Sequence, residues 1–268
     1  MEPAGHARHA ASNSVRVSNR YGESPIMLIC DHASNFVPEM FGTLGLEPAE
    51  LDRHIAWDPG AAPVSRLLSA ALDATLVESC VSRLIVDCNR SLQAPDLVPE
   101  LSETTVIPGN AGLSAEDRED RIALAWRPFH DAIEDLVGER LAGGRDTRLV
   151  SIHSFTPRYS DRPRPWHVGI IHDEDDRMAR PMVAALAAVD GLVVGVNEPY
   201  SPADRVYFTL ERHARSRGLP CVMIEIRNDE IATEQSQRRW AELLAGILSN
   251  LEPERDRQVS RRLDHPVS

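Results

Sequence analysis

Two histidines stand at the ends of short apolar runs, where they could ligate a metal ion. His32 follows the run "MLIC" and Asp31, and His153 stands in "RLVSIHSF". Imidazole nitrogens, together with carboxylate oxygens, are ligands that Zn²⁺ takes, and a catalytic zinc site keeps three protein ligands and an open position. Either histidine alone could instead be a polar side chain satisfied by hydrogen bonds. Their similar placement favours the metal site.

A carboxylate interrupts another apolar run. Glu225 lies in "CVMIEIR", with apolar neighbours on both sides. Burying a carboxylate is costly unless it is paired or lies near a metal ion. We therefore interpret Glu225 as a general base that takes a proton from water. The alternative is a structural salt bridge with Arg227, two residues later and on the same face of a strand.

The segment "SRLIVDCNR" carries groups that bind carboxylates. An arginine binds a carboxylate through two parallel hydrogen bonds, and an amide adds orientation. Asn89 and Arg90 are therefore candidates for substrate binding, and Arg83 for stabilising an oxyanion near the metal. Ordinary ion pairs with Asp87 or Glu100 remain the alternative.

Short runs rich in Val and Ile predict the strands that would position these residues. The runs are "PIMLIC", "ATLVESCV", "RLIVDCN", "RLVSIHSF", "HVGIIHD", "GLVVGVNEP" and "CVMIEIR". Helical patterns separate them, so we predict an α/β fold with a mostly parallel mixed sheet flanked by helices on both faces. Ligands bind at the carboxyl ends of such strands, where the candidate residues would converge.

Two helical patterns carry start signals. "DPGAAPVSRLLSAALDA" has Asp58 where an N-cap would lie, and "SAEDREDRIALAWRPFHDAIEDLVGERLAGG" has the weak capping box Ser114–Asp117. The stretch 91–113 lacks a period and predicts a long irregular loop. We expect a single catalytic domain over 21–252, between a disordered lead at 1–20 and a polar tail at 253–268.

Composition excludes several classes of function. The chain has 268 residues and a formal charge of −12, which gives no support for binding nucleic acid. No stretch approaches the roughly 18 apolar residues of a membrane span. The four cysteines lack CxxC spacing and are expected to be free thiols in a reducing cytoplasm. Because the net charge of the chain is negative, an anionic substrate would need a local pocket of arginine side chains.

Eight blocks, in order, closely resemble the N-formylglutamate amidohydrolase family. They are "DHASNFVP", "HIAWDPGA", "SRLIVDCNR", "PGNAGLS", "SIHSFTP", "RPWHVGI", "NEPYS" and "PCVMIEIRND". The resemblance runs from about residue 24 to 248. It implies the phosphorylase/hydrolase-like fold of zinc-dependent exopeptidases. It also implies hydrolysis of N-formyl-L-glutamate to L-glutamate and formate, a step of histidine breakdown.

"SRLIVDCNR" is also similar to a block of aspartoacylase and carboxypeptidase relatives. There an Asn-Arg pair holds the carboxylate of the substrate, and an earlier arginine faces the scissile carbonyl. The resemblance assigns these roles to Asn89, Arg90 and Arg83, although the spacing here is one residue shorter. It also implies that His32 and His153 bind zinc.

The chain departs from those relatives at Asn35, where they have a glutamate ligand. A neutral amide is a poor zinc ligand beside a carboxylate. The family places an aspartate-containing block some twenty residues later, which here is "HIAWDPGA". We therefore expect His32, Asp58 and His153 to hold one divalent metal ion, Zn²⁺. A plain N-cap role for Asp58 is the alternative.

The resemblance implies a mechanism in which Glu225 takes a proton from metal-activated water and returns it to the leaving amine. Arg227 and Tyr200 are weaker candidates for binding the other end of a small anionic N-acyl amino acid. Three alternatives remain open. These are a zinc amidohydrolase for another N-acyl amino acid, a metal-free protein that binds small carboxylates, and a cysteine nucleophile at Cys88 or Cys30.

Overall fold

The computed structural model describes residues 14–251, which form a seven-stranded sheet with helices on both faces. The strands, numbered along the chain, are β1 Val15–Ser18, β2 Ile26–Cys30, β3 Thr75–Ser79, β4 Arg148–Phe155, β5 Val168–Ile171, β6 Val194–Val196 and β7 Cys221–Arg227. Their order across the sheet is β1-β3-β2-β4-β7-β5-β6. The predicted α/β class is confirmed.

The sheet is mixed but mostly parallel. Strands β3, β2, β4 and β7 run parallel to one another in the centre, and β5 pairs parallel with β6. Only the β1–β3 and β5–β7 pairs are antiparallel. The carboxyl ends of the four central strands therefore meet at one edge, as the sequence predicts.

Within residues 14–251 there are seven α-helices, six of them between strands and the seventh after β7. They are α1 Pro48–Leu51, α2 Ala61–Leu72, α3 Ala115–Arg121, α4 Arg127–Ala142, α5 Ala179–Ala187, α6 Phe208–His213 and α7 Glu234–Ser249. Short 3₁₀ turns occur at Glu39–Phe41, Pro108–Asn110, Pro202–Asp204, Arg215–Arg217 and Asn228–Ile231. Among the described residues, no helix is both long and apolar enough to cross a membrane.

Alternation along the strands builds two apolar layers. In β2, Leu28 packs on the face covered by α2 and α7, and Met27 packs on the face covered by α4. Side chains of a strand point to opposite faces in turn, so a continuously apolar run is the pattern of a sheet covered on both sides. This explains why the buried strands read so clearly in the sequence.

The strand predicted for "RLIVDCN" is wrong. Residues 83–89 form turns, held by hydrogen bonds from the Ile85 amide to the Ser82 carbonyl and from the Asp87 amide to the Leu97 carbonyl. Leu84 packs here in a third apolar cluster, beside the sheet and beneath the long loop. An apolar run indicates burial, and here the burying partner is a loop rather than a sheet.

The predicted lead is also too long, because β1 forms inside it. Val15 and Val17 pack on the α4 face of the sheet, and β1 pairs with β3. Alternation of apolar and polar residues in "VRVS" is the pattern of such an edge strand. Residues 1–13 and the predicted tail at 253–268 lie outside the described residues.

The helical pattern predicted at residues 114–144 forms one continuous helix with a widened turn. The capping box of Ser114 and Asp117 is present, and α3 leads into α4 through a π-helical turn at Ile122–Trp126. The predicted loop at 91–113 is largely irregular and includes a small hairpin of Leu101–Ser102 and Thr105–Val106.

Candidate active site

Two histidines and an aspartate converge at the carboxyl edge of the sheet. The Nδ1 atoms of His32 and His153 lie 3.3 and 2.8 Å from the same oxygen of Asp58, Oδ2. One ligand atom from each residue falls within 4.8 Å of the others, and all three residues are buried. This is a group that can hold a metal ion, and it consists of the three residues predicted as ligands.

The other ring nitrogen of each histidine is held by a second carboxylate. Nε2 of His32 lies 2.9 Å from Oδ1 of Asp87, and Nε2 of His153 lies 3.0 Å from Oδ2 of Asp31. Such carboxylate–histidine contacts fix the orientation of a metal-binding imidazole and raise its basicity. When the imidazoles are neutral and carry their protons on Nε2, both Nδ1 atoms face Asp58 with lone pairs that can bind a cation.

The carboxylates govern the protonation of this group. Burial disfavours the charged form of His153, yet hydrogen bonds to Asp31 and Asp58 hold its pKa well above the ordinary value. Burial likewise opposes ionisation of Asp58, but the two histidines hold its pKa well below its usual range. The raised pKa values of His32 and His153 favour a positive charge beside Asp58, which a bound cation can supply in place of protons.

A tight turn brings Asp58 to the site. Gly60 follows with a φ of 83°, and a Cβ there would lie 2.6 Å from the carbonyl oxygen of Ile231. Helix α2 then begins at Ala61 with Gly60 at the N-cap and no capping side chain. The N-cap alternative for Asp58 is therefore wrong, because its carboxylate points to the histidines.

Asn35 lies outside this group. Its side-chain amide donates to the carbonyl of Leu51 at 3.0 Å and to Oδ1 of Asp52 at 3.2 Å. These contacts join the loop after β2 to the end of helix α1. The geometry thus gives Asn35 a role in loop packing.

The donor set fits a divalent metal ion. Oδ1 of Asp58 is buried and accepts no hydrogen bond from any residue between 14 and 251, although His54 Nε2 and Arg83 Nη1 lie at 3.4 and 3.5 Å. Unpaired buried carboxylate oxygens are costly, and metal coordination is one way to satisfy them. Two imidazoles and a carboxylate are a combination that zinc accepts at a catalytic site.

Glu225 lies beside the group. It stands opposite His153 in the parallel pairing of β7 and β4, is 4% exposed, and has one oxygen, Oε2, without a hydrogen-bond partner among the described residues. Burial raises its pKa to about 7, against the opposing effect of the protonated histidines. A carboxyl group with a pKa near neutrality can both accept and donate a proton at physiological pH.

The loop at residues 83–90, here called the arginine loop, reaches the same cavity, but its side chains make different contacts. Arg83 donates to Oδ2 of Asp87 at 2.7 Å, and Arg90 donates to Asp96 at 2.9 Å and to the Arg205 carbonyl at 2.9 Å. All three loop candidates line the cavity. The ion pairs considered as alternatives are thus partly real, since Arg83 does pair with Asp87.

Asn89 is engaged within the protein. Its amide nitrogen donates to the carbonyl of Val206, and its amide oxygen accepts from the backbone N–H of Thr209 at 3.0 Å. With the side chain buried and both ends occupied, Asn89 holds the loop before α6. We therefore expect it to act in substrate binding by placing this loop, rather than by direct contact.

The two weaker candidates separate. Tyr200 lines the cavity, whereas Arg227 is not among the described residues that do. The Arg227 guanidinium pairs with Asp229 at 2.7 Å and Glu230 at 3.2 Å, and lies against the carbonyls of residues 164–166. Arg227 therefore braces a loop. The salt bridge proposed as an alternative for Glu225 with Arg227 is not formed.

Several polar residues of the site escaped the sequence reading. His54 donates from Nε2 to the Ser154 carbonyl at 2.6 Å and borders the cavity, as does Tyr159. Asp31 and Asp87 hold the histidines. The sequence contains a hint of both roles, because Asp31 precedes His32 and Asp87 precedes the Asn-Arg pair. Spacing alone does not show which side chain each aspartate contacts.

The cysteine alternative has no support. Cys30 and Cys88 are buried, and burial raises the pKa of both thiols. A nucleophilic cysteine needs a lowered pKa and access to substrate. Neither thiol lines the cavity.

The cavity itself has a volume of about 260 Å³ and is lined mainly by polar and charged side chains. Cavities that hold drug-sized ligands have volumes of roughly 300–1,000 Å³ and are mostly apolar. A small polar molecule fits this site better. Arg83 and Arg90 on the wall add positive charge that can attract an anion.

Comparisons with known proteins agree with this geometry. The N-formylglutamate amidohydrolase family model matches residues 24–232. The structure of gene product Atu2144 from Agrobacterium tumefaciens is 44% identical, covers 91% of this chain and 96% of its own, and has a TM-score of 0.88. No curated protein matches the chain.

The N-formylglutamate amidohydrolase from Ralstonia eutropha JMP134 shares the fold. It is 21% identical, with a TM-score of 0.62, and the match covers 89% of this chain and 98% of that one. The family match spans most of the described sheet and includes every residue discussed at the site. The chain therefore belongs to the N-formylglutamate amidohydrolase family of amide-bond hydrolases.

Proposed function

We propose that this protein hydrolyses the formyl amide of N-formyl-L-glutamate to L-glutamate and formate, with one zinc ion as cofactor. The observation that carries the proposal is the meeting of Glu225 with the buried group of His32, Asp58 and His153 in a small polar cavity. A carboxylate beside three potential ligands is the arrangement that metal-assisted amide hydrolysis requires. Family membership supports the substrate class.

His32, Asp58 and His153 would hold the metal. When bound, zinc supplies Lewis acidity that polarises a carbonyl group and lowers the pKa of water. Asp31 and Asp87 keep the two imidazoles oriented from behind, through hydrogen bonds to their Nε2 atoms. Such outer contacts matter because a freely rotating imidazole loses entropy on binding a cation.

Glu225 acts on protons. Its carboxylate accepts a proton from the attacking water and then donates it to the amine of the departing glutamate. Burial, which raises the pKa of Glu225 to about 7, supports both halves of this cycle. The oxygen without a hydrogen-bond partner is available for the transfer.

Two arginines provide charge complementarity. Arg83 stands near Asp58 and can stabilise negative charge that develops on the amide oxygen. Arg90 lines the cavity and can bind a carboxylate of the substrate. Because Arg83 also pairs with Asp87, its guanidinium is fixed in place, which reduces the reorganisation needed during the reaction.

Turnover of matched amides tests the proposal. Purified protein, loaded with Zn²⁺, is assayed for release of free amino acid from N-formyl-, N-acetyl- and N-succinyl-L-glutamate. We expect N-formyl-L-glutamate to have the highest kcat/KM. Hydrolysis of N-acetyl-L-glutamate without hydrolysis of the formyl compound would overturn the substrate. If none of the amides is hydrolysed and the protein retains no metal after incubation with Zn²⁺, a protein that binds small carboxylates would be favoured.

A further inference from the structure

A buried arginine without a carboxylate partner lies behind the wall of the cavity. Arg164 is 9% exposed, and none of the ion pairs among the described residues includes it. Its guanidinium carbon lies 4.7 Å from the ring centre of Tyr200 and 4.8 Å from that of Tyr159. The ring of Phe155 lies 5.8 Å away.

The aromatic cage holds the guanidinium but does not neutralise it. Cation–π contacts stabilise a positive charge and leave its net value unchanged. Buried charges in proteins are usually paired, so an unpaired buried arginine beside a cavity indicates an anion that arrives with the ligand. The remaining side-chain contact, from Nη1 to Thr156 Oγ1, is long at 3.4 Å.

Tyr200 links this charge to the cavity. The ring of Tyr200 packs against the Arg164 guanidinium on one side. A tyrosine hydroxyl can donate a hydrogen bond to a carboxylate. Tyr200 and Tyr159 line the same cavity as Glu225, whereas Arg164 stands one layer behind them.

The loop that carries Arg164 is braced. Nη1 of Arg227 lies 3.3–3.5 Å from the carbonyl oxygens of Arg164, Pro165 and Trp166. The Arg164 amide donates to the Pro157 carbonyl at 2.9 Å. A guanidinium in a fixed position binds an anion with less loss of entropy than one on a mobile loop.

We propose that Arg164, Tyr200 and Tyr159 form the subsite for the side-chain carboxylate of the substrate, and so determine the preference for a dicarboxylic amino acid. The inference rests on the proposed function, because it assigns one carboxylate of that substrate to this subsite and leaves the other to Arg90. It gives Tyr200 a partner that the sequence did not reveal. Arg164 acts as a specificity residue and has no part in bond cleavage.

The test compares an acid with its neutral isostere. N-formyl-L-glutamate and N-formyl-L-glutamine differ only at the side-chain carboxylate, so the ratio of their kcat/KM values isolates the subsite. We expect Arg164→Gln to lower this ratio roughly tenfold to 100-fold, since it removes a partly desolvated positive charge that attracts the carboxylate. Tyr200→Phe, which keeps the ring, should lower it by a smaller factor.

Arg162→Gln is the matched control, because Arg162 lies exposed on the adjoining hairpin. An unchanged ratio in both Arg164→Gln and Tyr200→Phe would overturn the subsite, as would an equal loss in the control. Tyr200→Phe keeps the test decisive if Arg164→Gln does not fold.

Binding separates this proposal from the one on which it rests. If the protein hydrolyses neither amide, the proposed reaction fails, and calorimetry with L-glutamate and L-glutamine then decides the subsite. Weaker binding of L-glutamate alone in Tyr200→Phe and Arg164→Gln supports it. The subsite is overturned if the unmodified protein does not prefer L-glutamate to L-glutamine, or if this preference is unchanged in both variants.

Discussion

Nδ1 of His153 lies 2.8 Å from Oδ2 of Asp58, across 95 positions of the chain. The contact joins a central strand to a loop, and Asp58 is the residue that we expect to supply the third metal ligand in place of Asn35. We therefore expect Asp58→Ala to lose metal as well as activity, with less than about a tenth of an equivalent of zinc after purification. Elemental analysis by mass spectrometry measures it.

Asn35→Ala is the control for that variant. Asn35 hydrogen-bonds to Leu51 and Asp52, so its truncation should affect loop packing and leave the zinc content unchanged. Stoichiometric zinc in Asp58→Ala would show that the ligand lies elsewhere.

Glu225→Gln keeps the shape of the side chain and removes its basicity. We expect kcat to fall by roughly 10²–10⁴, the usual contribution of a general base, with zinc still bound. Steady-state kinetics and metal analysis of one preparation give both values. Full activity in the variant would remove the assignment.

Asp31→Asn tests the support behind His153. The aspartate accepts from His153 and Ser151, and an amide can reproduce only part of this network. We expect metal affinity to fall roughly tenfold to 100-fold, as is typical when such an outer contact is removed. Competition with a chelator measures the change, and an unaltered affinity would contradict the role given to Asp31.

Trp126→Phe tests the helix that anchors the arginine loop. The indole N–H of Trp126 donates to the Arg90 carbonyl at 2.9 Å, next to a second anchor from His130 to the Cys88 carbonyl. Loss of one hydrogen bond of about 1 kcal/mol should raise KM roughly fivefold, with a smaller effect on kcat. Trp240→Phe is the control, since its buried indole nitrogen has no hydrogen-bond partner among the described residues. Equal KM values in both variants would contradict the anchoring role.

His130 and His213 make stability depend on acid. Their ring nitrogens lie 2.8 Å apart, and burial lowers the pKa of each from 6.5 to about 3. The folded protein keeps both neutral, while the unfolded chain takes up protons below about pH 6.5. Stability is therefore fully present above pH 6.5 and falls as the pH drops toward 3.

The slope is at most about 1.4 kcal/mol per pH unit for each histidine. Chemical denaturation between pH 7 and 4 measures it. In His213→Gln one titrating group is absent, so the loss of stability with acid should be shallower. Identical slopes in the variant and the unmodified protein would contradict the buried pair as its source.

Much of the fold followed from the chain itself. Strands β4 and β7 match their predicted runs residue for residue, because apolar segments buried on both faces leave a clear signal. His32, His153 and Glu225 can be predicted as site residues because burying a polar side chain within or beside an apolar strand is costly unless the side chain has a partner. The site residues at strand ends were thus within reach of sequence reasoning.

Other features depend on partners far away in the chain. Asn89 was expected to face the substrate, but its amide meets Val206 and Thr209, more than a hundred positions later. The run before it packs under a loop instead of joining the sheet. Local pattern reports burial, whereas the partner that provides it is set by tertiary contacts.

His153 and Glu225 are paired positions of neighbouring parallel strands, so their side chains project side by side from the same face of the sheet. Strands in a sheet lie about 4.8 Å apart, and a slip of one residue would turn every side chain of the moved strand to the opposite face. The backbone hydrogen bonds between β4 and β7 thus fix the distance between these two side chains. We therefore expect insertions in these two strands to be far more damaging to activity than insertions in the loops that shape the cavity.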